Sequence, residues 1–484
     1  MLGGTPQETM NSGDIRRSRA YFTFLLERIL NRTIMICLVM ALILEPFMAG
    51  TILAETGPAV PGVLGIRDAI EIAVAHNPVA KAAAAKVSAA EERLSEAASG
   101  FYPRVGLSGS YNRTTSPMMA FGTRLNQGLI GAEDFLPDRL NNPDPIDDYG
   151  LTLSTTWSLY DRGQTWYGTS QARMGQDAAG FGRDRTIQVI IARTVSAYNG
   201  FLLARENLKT TRQALKTAEA TLKLVKSRFT NGLVVKSDLL QTEVHISDLK
   251  QRVFQAESGV SISRAALCAA MGVDPDTLFE PGDELTVDPE TTAPLSEWLQ
   301  TAEEKRPDLL AMQAYEAVAE TEIKKARATR LPGVALAAEY STHADGINDG
   351  HDSYSIGAQV TLNLFSGFQV SARVREAEAN LREVRAGREG LVQGISVETR
   401  TAYYQAKSAW EEIKVATAAE THAEEALRIV RDRYRNGMLT IVELLNSELS
   451  LQQTRTNRFR AIHDYNEARM KLALSAGTLD ETLQ

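Results

Sequence analysis

The sequence predicts a membrane β-barrel continued by an α-helical barrel, built from several copies of the chain. Three observations indicate this fold class: four short segments alternate apolar and polar residues, two very long segments repeat apolar and small residues every seven positions, and one structural unit occurs twice along the 484 residues. Alternation with a period of two is typical of strands, and a heptad repeat is typical of helices packed side by side.

The β-barrel part rests on four segments of about ten residues, the length that a tilted membrane strand needs. Residues 150–160 and 354–364 alternate most clearly, and we expect them to pair with 105–111 and 334–340. Aromatic residues cluster at the ends of these segments, as in the girdles of outer-membrane barrels. Half-buried hairpins of a soluble domain are the alternative. Four strands cannot close a barrel and open sheet edges are not tolerated in lipid, so several chains would have to contribute strands.

The helical part rests on residues 163–229, which contain no proline and would extend roughly 100 Å as one helix. The heptad positions of this segment carry many Ala and Thr residues, which suit close packing of helices around a cylinder. The second copy keeps the same register over residues 392–434, and Glu420 interrupts it. Each long helix is followed by a turn that reverses the chain into a return helix, and the predicted tip residues are Asn231, Gly232, Asn436 and Gly437.

An internal duplication divides the chain into a first structural repeat, 55–290, and a second, 291–484. The segment 228–232, Arg-Phe-Thr-Asn-Gly, matches 433–437, Arg-Tyr-Arg-Asn-Gly, and an acid followed by Leu-Leu comes six residues after each Asn-Gly. We expect each repeat to form a helix, a β-hairpin, a very long helix, a turn and a return helix.

The N-terminal segment has the pattern of a secretory signal. Arg28 and Arg32 precede an apolar run, 34–44, and small residues follow it. That run is about 11 residues, whereas a membrane-spanning helix needs about 20. We therefore assign 1–54 to a signal peptide with an extended N-terminal region. We expect no apolar stretch in the mature chain that could be a membrane helix, so that a membrane crossing would require strands.

The sequence contains no pattern that indicates an enzyme, a cofactor or a metal site. The net charge of −8 argues against a general nucleic-acid surface. Cys268 is the only cysteine after the signal, so no intramolecular disulfide can form. Residues 343–352 invite a calcium interpretation, but Ile347 breaks the alternating ligand spacing, and a polar hairpin loop on the outer face is the better reading. The six histidines are scattered, at positions 76, 245, 343, 351, 422 and 463.

The duplicated tip motifs, together with a Pro-led strand after an Ala-rich helix, resemble the TolC-like outer-membrane efflux protein family, the outer membrane factors. The stretch 121–128 also resembles the long first hairpin loop of many members. This resemblance covers about 65–480. It implies a homotrimer in the outer membrane of a Gram-negative bacterium, with twelve strands in one barrel and a helical tunnel in the periplasm, closed at its inner end.

The resemblance also implies the working partners and the function. The chain would be the passive exit duct of a tripartite efflux or type I secretion system. A periplasmic adaptor (membrane fusion) protein would dock on the helical tips, and an inner-membrane pump of the RND or ABC type would supply the energy. The sequence does not name the cargo or the pump class.

Carried over by position, the family's gate falls on five residues. Tip contacts fall on Asp238 and Tyr434, and the inner acidic rings fall on Glu443 and Asn446. Leu439 stands where the best-known family pattern has an Arg, so the usual charged latch to Asp238 cannot form. We expect a looser closure that rests on Tyr434 and on packing of Leu439. The alternative for each of these residues is a capping or solvated helix position.

Two other functions stay open at this point. The first is a secreted coiled-coil scaffold without a pore, which differs in whether the strands enter lipid and trimers form a channel. The second is a β-barrel receptor that binds an external ligand through the loop 112–148.

Overall fold

The structure is a computed structural model that describes residues 60–291, 293–346 and 350–479. The predicted signal peptide, 1–54, lies outside these residues. The helices are α1 (Ile66–His76), α2 (Pro78–Ala98), α3 (Pro117–Asn126), α4 (Pro137–Asn141), α5 (Gln164–Thr230), α6 (Lys236–Met271), α7 (Leu295–Lys305), α8 (Pro307–Ala328), α9 (Gln369–Arg435) and α10 (Ile441–Ala476). The strands are β1 (Val63–Leu64), β2 (Arg104–Thr114), β3 (Ile146–Tyr160), β4 (Glu280–Pro281), β5 (Gly333–Ala344) and β6 (Gly350–Thr361).

The predicted long helices are present in both halves and have equal lengths. Helices α5 and α9 each contain 67 residues, which is about 100 Å of helix. The return helices α6 and α10 each contain 36 residues. Heptad residues of α5 such as Ile190, Thr194 and Phe201 are buried, so the seven-residue pattern marks the packed face as predicted.

Helix α5 corrects one expectation from the sequence. By length and composition alone it is apolar enough to cross a membrane, although we expected no such helix after the signal. Its apolar residues Ile191 and Val195 are buried against Met470 and Ala473 of α10. The apolar character of this stretch is therefore explained by packing between helices of the chain.

Glu420, which interrupts the heptad pattern of α9, is held by two arginines of α10. One carboxylate oxygen of Glu420 lies 3.1 Å from Nε of Arg455, and the other lies 2.5 Å from Nε of Arg458. Arg455 also pairs with Glu424, one turn further along α9. A charge at a seam position is thus compensated across the α9–α10 hairpin, and the helix continues through it.

The four predicted membrane strands form one antiparallel sheet in the order β2-β3-β5-β6. This sheet is not closed, because β2 and β6 are its free edges. Strand β6 ends at Thr361, three residues before the predicted end. Thr361 pairs with Gly333, and Pro332 precedes that residue. Since proline has no N–H to donate, the ladder cannot extend further at this end.

The segment between β2 and β3, expected to be a loop, is folded. It contains α3, a 3₁₀ turn at Ala132–Phe135 and α4. Nε2 of Gln127 donates to the carbonyl oxygen of Asp147 at 2.8 Å and to Oδ1 of Asp148 at 3.1 Å. Asp148 in turn lies 3.0 Å from Nδ1 of His343 on β5. These contacts tie the folded segment to the end of the sheet.

Short helices meet the ends of the return helices at two equivalent joints. Gly272 ends α6 with φ of +75°, and a Cβ there would lie 2.8 Å from Cα of Asn77. Gly477 ends α10 with φ of +74°, and a Cβ there would lie 3.0 Å from Cα of Arg306. Both joints therefore need glycine, for the left-handed backbone and for the close approach of the next chain segment.

Candidate functional site at the helical tips

Both tips have the same backbone geometry. After α5, Gly232 has φ of +71°, and N–H of Leu233 donates to the carbonyl oxygen of Arg228 at 2.9 Å. After α9, Gly437 has φ of +73°, and N–H of Met438 donates to the carbonyl oxygen of Arg433 at 3.0 Å. A left-handed glycine after the last turn satisfies carbonyls that the helix leaves unpaired. The tip residues, including Asn231 and Asn436, are exposed.

The first turns of the two return helices differ, although Asp238 and Glu443 occupy equivalent positions. Glu443 forms a capping box with Thr440, whose N–H and hydroxyl donate to Oε2 of Glu443 at 2.8 and 2.9 Å. In α6 the equivalent capping residue is Val235, which has no side chain that can cap. Among the described residues, no hydrogen bond or ion pair reaches the Asp238 carboxylate. The first repeat thus leaves its acid unpaired, whereas the second engages it locally.

The capping box favours the ionised form of the Glu443 carboxyl. The hydrogen bonds from the N–H and hydroxyl of Thr440 lower the pKa of the Glu443 carboxyl below its usual range. Glu443 and Asn446 are both exposed in the protomer. Glu443 therefore has a structural task in its own helix and still presents a negative charge to solvent.

Tyr434 is the most buried of the five predicted gate residues, at 2% exposure. It packs in a cluster with Val225 of α5, Leu427 of α9, and Ile441 and Leu444 of α10. Its hydroxyl is buried without a hydrogen-bond partner in the part of the chain that the structure describes. Burial raises the pKa of this hydroxyl; nearby Arg228 opposes the shift and Asp238 adds to it.

An arginine that the sequence analysis missed connects the two tips. Nη1 of Arg228, near the end of α5, donates to the carbonyl oxygen of Tyr434 at 2.9 Å, and Nη2 donates to the carbonyl oxygen of Arg435. The guanidinium carbon lies 4.9 Å from the centre of the Tyr434 ring, a cation–π geometry. We call these contacts the Arg228 latch. Leu439, by contrast, is half-buried, and it is not among the residues of the Tyr434 cluster.

A second residue that the sequence analysis missed is Glu448, two residues beyond Asn446 of the predicted gate. Its Oε1 accepts a hydrogen bond from the Thr221 hydroxyl at 2.9 Å and lies 3.7 Å from Nη2 of Arg431. Its Oε2 is buried without a partner among the described residues. Burial raises the pKa of this carboxyl, and the contacts to Thr221 and Arg431 oppose that rise. Glu448 therefore joins α5, α9 and α10 behind the tip at an electrostatic cost.

Comparison with known proteins decides the family. The sequence profile described as "Outer membrane efflux protein" matches residues 69–273 and 298–478, most of both halves. The chain belongs to the outer membrane efflux protein family. The alkaline protease secretion protein AprF of Pseudomonas aeruginosa is 24% identical over 427 residues, covering 86% of this chain and 85% of AprF. Protein CyaE of Bordetella pertussis is 25% identical over 432 residues, covering 86% and 84%.

Solved structures of channels share the fold of this efflux protein. The outer membrane protein VceC of Vibrio cholerae has a TM-score of 0.69 at 22% identity, covering 85% of this chain and 96% of VceC. The CmeC outer membrane channel of Campylobacter jejuni has a TM-score of 0.72 at 17% identity, covering 86% of each chain. As a member of the outer membrane efflux protein family, this chain is an outer-membrane channel, with its strands in the membrane and its long helices in the periplasm.

Proposed function

We propose that three copies of the efflux protein form one exit duct, in which cargo passes from the periplasmic tips through the tunnel and the barrel. The observation that carries this proposal is the open sheet, whose free edges β2 and β6 cannot stay unpaired in lipid. Pairing β6 of one copy with β2 of the next uses both edges. Three copies then give a closed barrel of twelve strands.

Unpartnered apolar side chains on the helices support the same assembly. Val244, Phe254 and Ile262 of α6 are exposed, as are Val397 and Val415 of α9. Exposed apolar side chains such as these are ones that association between copies would bury. Packing of α6 from one copy against α9 of the next would cover both faces and complete a cylinder.

We propose that the duct is passive and contributes no catalytic step. Energy then comes from an inner-membrane pump of the ABC or RND type, through a periplasmic adaptor that docks on Asn231, Gly232, Asn436 and Gly437. AprF is named for secretion of alkaline protease. By analogy, export of polypeptides by a type I system is one role that suits the present protein, and tripartite efflux of small molecules is the other.

We further propose that the inner end of the tunnel is closed by Asp238, Tyr434, Leu439, Glu443 and Asn446. The Arg228 latch supports this arrangement, because it holds the end of α9 against the end of α5 in the same protomer. Three Glu443 carboxylates around the axis would lower the electrostatic potential at the constriction and favour cations.

Single-channel recording in planar bilayers tests this function. The purified mature protein, with its trimer mass checked first, is compared with Glu443→Gln. Glutamine also serves in a capping box, so this change removes the charge and keeps the helix start. Glu280→Gln removes the same charge at β4, away from the tips, and serves as the control.

We expect small, cation-selective openings whose selectivity is lost in Glu443→Gln and kept in Glu280→Gln. A folded trimer that never conducts, even after substitutions at the tips, would instead support the scaffold without a pore. Unaltered export after deletion of residues 115–145 would count against the receptor alternative.

A further inference from the structure

The junction between β3 and α5 contains a pocket that the proposed export path does not use. Its volume is about 330 Å³, and it is lined by a 3₁₀ turn after α2, Ser99–Phe101, and by the end of β3, the start of α5 and the end of α8. Three aromatic residues on its wall, Phe101, Tyr160 and Trp166, are exposed, and Trp166 has 70% of its surface free. A pocket with aromatic walls at the junction between β3 and α5 is a candidate binding site.

Arg162 lies in this pocket with a backbone conformation that non-glycine residues rarely adopt. Its φ is +65°, and the equivalent position in the second repeat is Gly367, with φ of +60°. An arginine in the left-handed region costs about 1 kcal/mol or more, and such strained residues cluster at functional sites. Among the described residues of the second repeat, the non-glycine residue with positive φ is Phe368, one position after Gly367. The second repeat shows that the same turn forms without an arginine.

The Arg162 guanidinium has no anionic partner among the described residues. It lies over Gly333, where an added Cβ would be 3.3 Å from Nε of Arg162. The neighbouring acid, Asp161, is already engaged, because its Oδ2 accepts hydrogen bonds from N–H of Thr165 at 2.6 Å and from the Thr165 hydroxyl. The pocket therefore presents a half-buried guanidinium without an ion pair among the described residues, while the Asp161 carboxylate on the same wall is turned toward Thr165.

The position of the pocket identifies the class of anion. Strand β3 lies in the outer membrane and α5 extends into the periplasm, so the junction is at the level of the periplasmic lipid headgroups. Tyr and Trp side chains are enriched at this level in membrane proteins. A guanidinium binds a phosphodiester through two parallel hydrogen bonds, and exposed apolar residues such as Leu159 and Leu331 continue from the pocket.

We propose that Arg162, with Trp166, Tyr160 and Phe101, binds the phosphate headgroup of a phospholipid from the periplasmic leaflet, one lipid per subunit. The acyl chains would lie along Leu159 and Leu331. This inference rests on the membrane placement of the barrel. It assigns no such site to the second repeat, where Gly367 replaces the arginine.

Native mass spectrometry of the delipidated trimer with added phosphatidylglycerol tests the proposal. The critical variant is Arg162→Gly, which introduces the residue of the second repeat and removes the positive-φ strain, so we expect it to fold. Arg173→Gln is the matched control, since it removes the same charge at an exposed position about 16 Å further along α5. A second variant, Trp166→Ala, tests the aromatic wall without changing charge.

We expect the wild type and Arg173→Gln to retain one lipid per subunit. Arg162→Gly should lower lipid affinity at least about tenfold, the effect of losing a charge-assisted bidentate contact, and Trp166→Ala should lower it less. Inorganic phosphate alone, added in excess, should not displace the lipid. Equal lipid binding by wild type and Arg162→Gly, or full displacement by inorganic phosphate, would overturn the proposal.

Trimer mass and conductance are recorded on the same samples. Intact, conducting trimers that show no lipid dependence on Arg162 would refute only the lipid site. Wild-type protein that forms no trimers and does not conduct would refute the exit duct itself.

Discussion

Removal of the Arg228 latch is the sharpest test of how the inner end of the tunnel is held. Arg228→Ala deletes two charge-assisted hydrogen bonds to backbone carbonyls and one cation–π contact with Tyr434. Hydrogen bonds to charged groups contribute about 1.5–3 kcal/mol each and an exposed cation–π contact about 0.5–1 kcal/mol. Because Arg228 is only half-buried, we take about 2–3 kcal/mol for the whole latch.

This free energy corresponds to a change of about 30- to 150-fold in the equilibrium between latched and released tips of each protomer. We therefore expect Arg228→Ala to raise the open probability and the mean conductance of single trimers in planar bilayers. Arg433→Ala is the matched control. It removes the same side chain from the equivalent position of α9, where the exposed arginine makes no side-chain hydrogen bond or ion pair among the described residues.

The reasoning would be refuted by intact Arg228→Ala trimers whose open probability equals that of Arg433→Ala. A rise of the same size in both variants would also contradict it, because the cause would then be loss of positive charge near the tip rather than loss of the latch.

Three further predictions concern the tips and the joints. Leu439→Arg should tighten closure by restoring a charge opposite Asp238, and unchanged single-channel conductance would contradict this. Burial raises the pKa of Glu448, so its protonated carboxyl contributes stability that is present below the unfolded pKa and is lost as pH rises through the folded pKa. Glu448→Gln should therefore raise the Tm at pH 7 and flatten the pH dependence of the Tm. Glu243→Gln, at the equivalent half-buried position of α6 where the carboxylate pairs with Lys226, should do neither. Gly272→Ala should lower trimer stability by about 1 kcal/mol or more, and Gly232→Ala should lower it by less. Both glycines have positive φ, but only Gly272 lies against neighbouring backbone. Equal unfolding midpoints of the two variants in denaturant would show that this close approach does not affect stability.

The long helices and the strands could be predicted because their signals are local and periodic. The heptads over residues 392–434 and the alternation over about ten residues in each strand can be recognised without knowing any tertiary contact. The fold of the segment between β2 and β3 could not be predicted in this way. It depends on Gln127 reaching Asp148 and on Asp148 reaching His343, contacts between residues that are distant in sequence.

The site was predictable only in part, for a related reason. The turn motif locates both tips, and the capping alternative for Glu443 is confirmed by its contacts with Thr440. The Arg228 latch leaves no trace in sequence, because its acceptors are backbone carbonyls, which every residue has. Glu448 did leave a signal that could have been used: Ile441, Leu444 and Glu448 share one face of α10 with heptad spacing, so an acid on the packed face was visible.

The joints at Gly272 and Gly477 have a mechanical consequence for the tunnel. On one side of each hairpin the chain is interrupted at the joint, while on the other side α5 or α9 continues as an unbroken helix. Each return helix is about 54 Å long and ends at its glycine joint, where its direction relative to the next segment is set. A rotation of only about 5° at the joint would move the tip by about 5 Å. Such a rotation would shift the tips of the proposed tunnel without unfolding a helix.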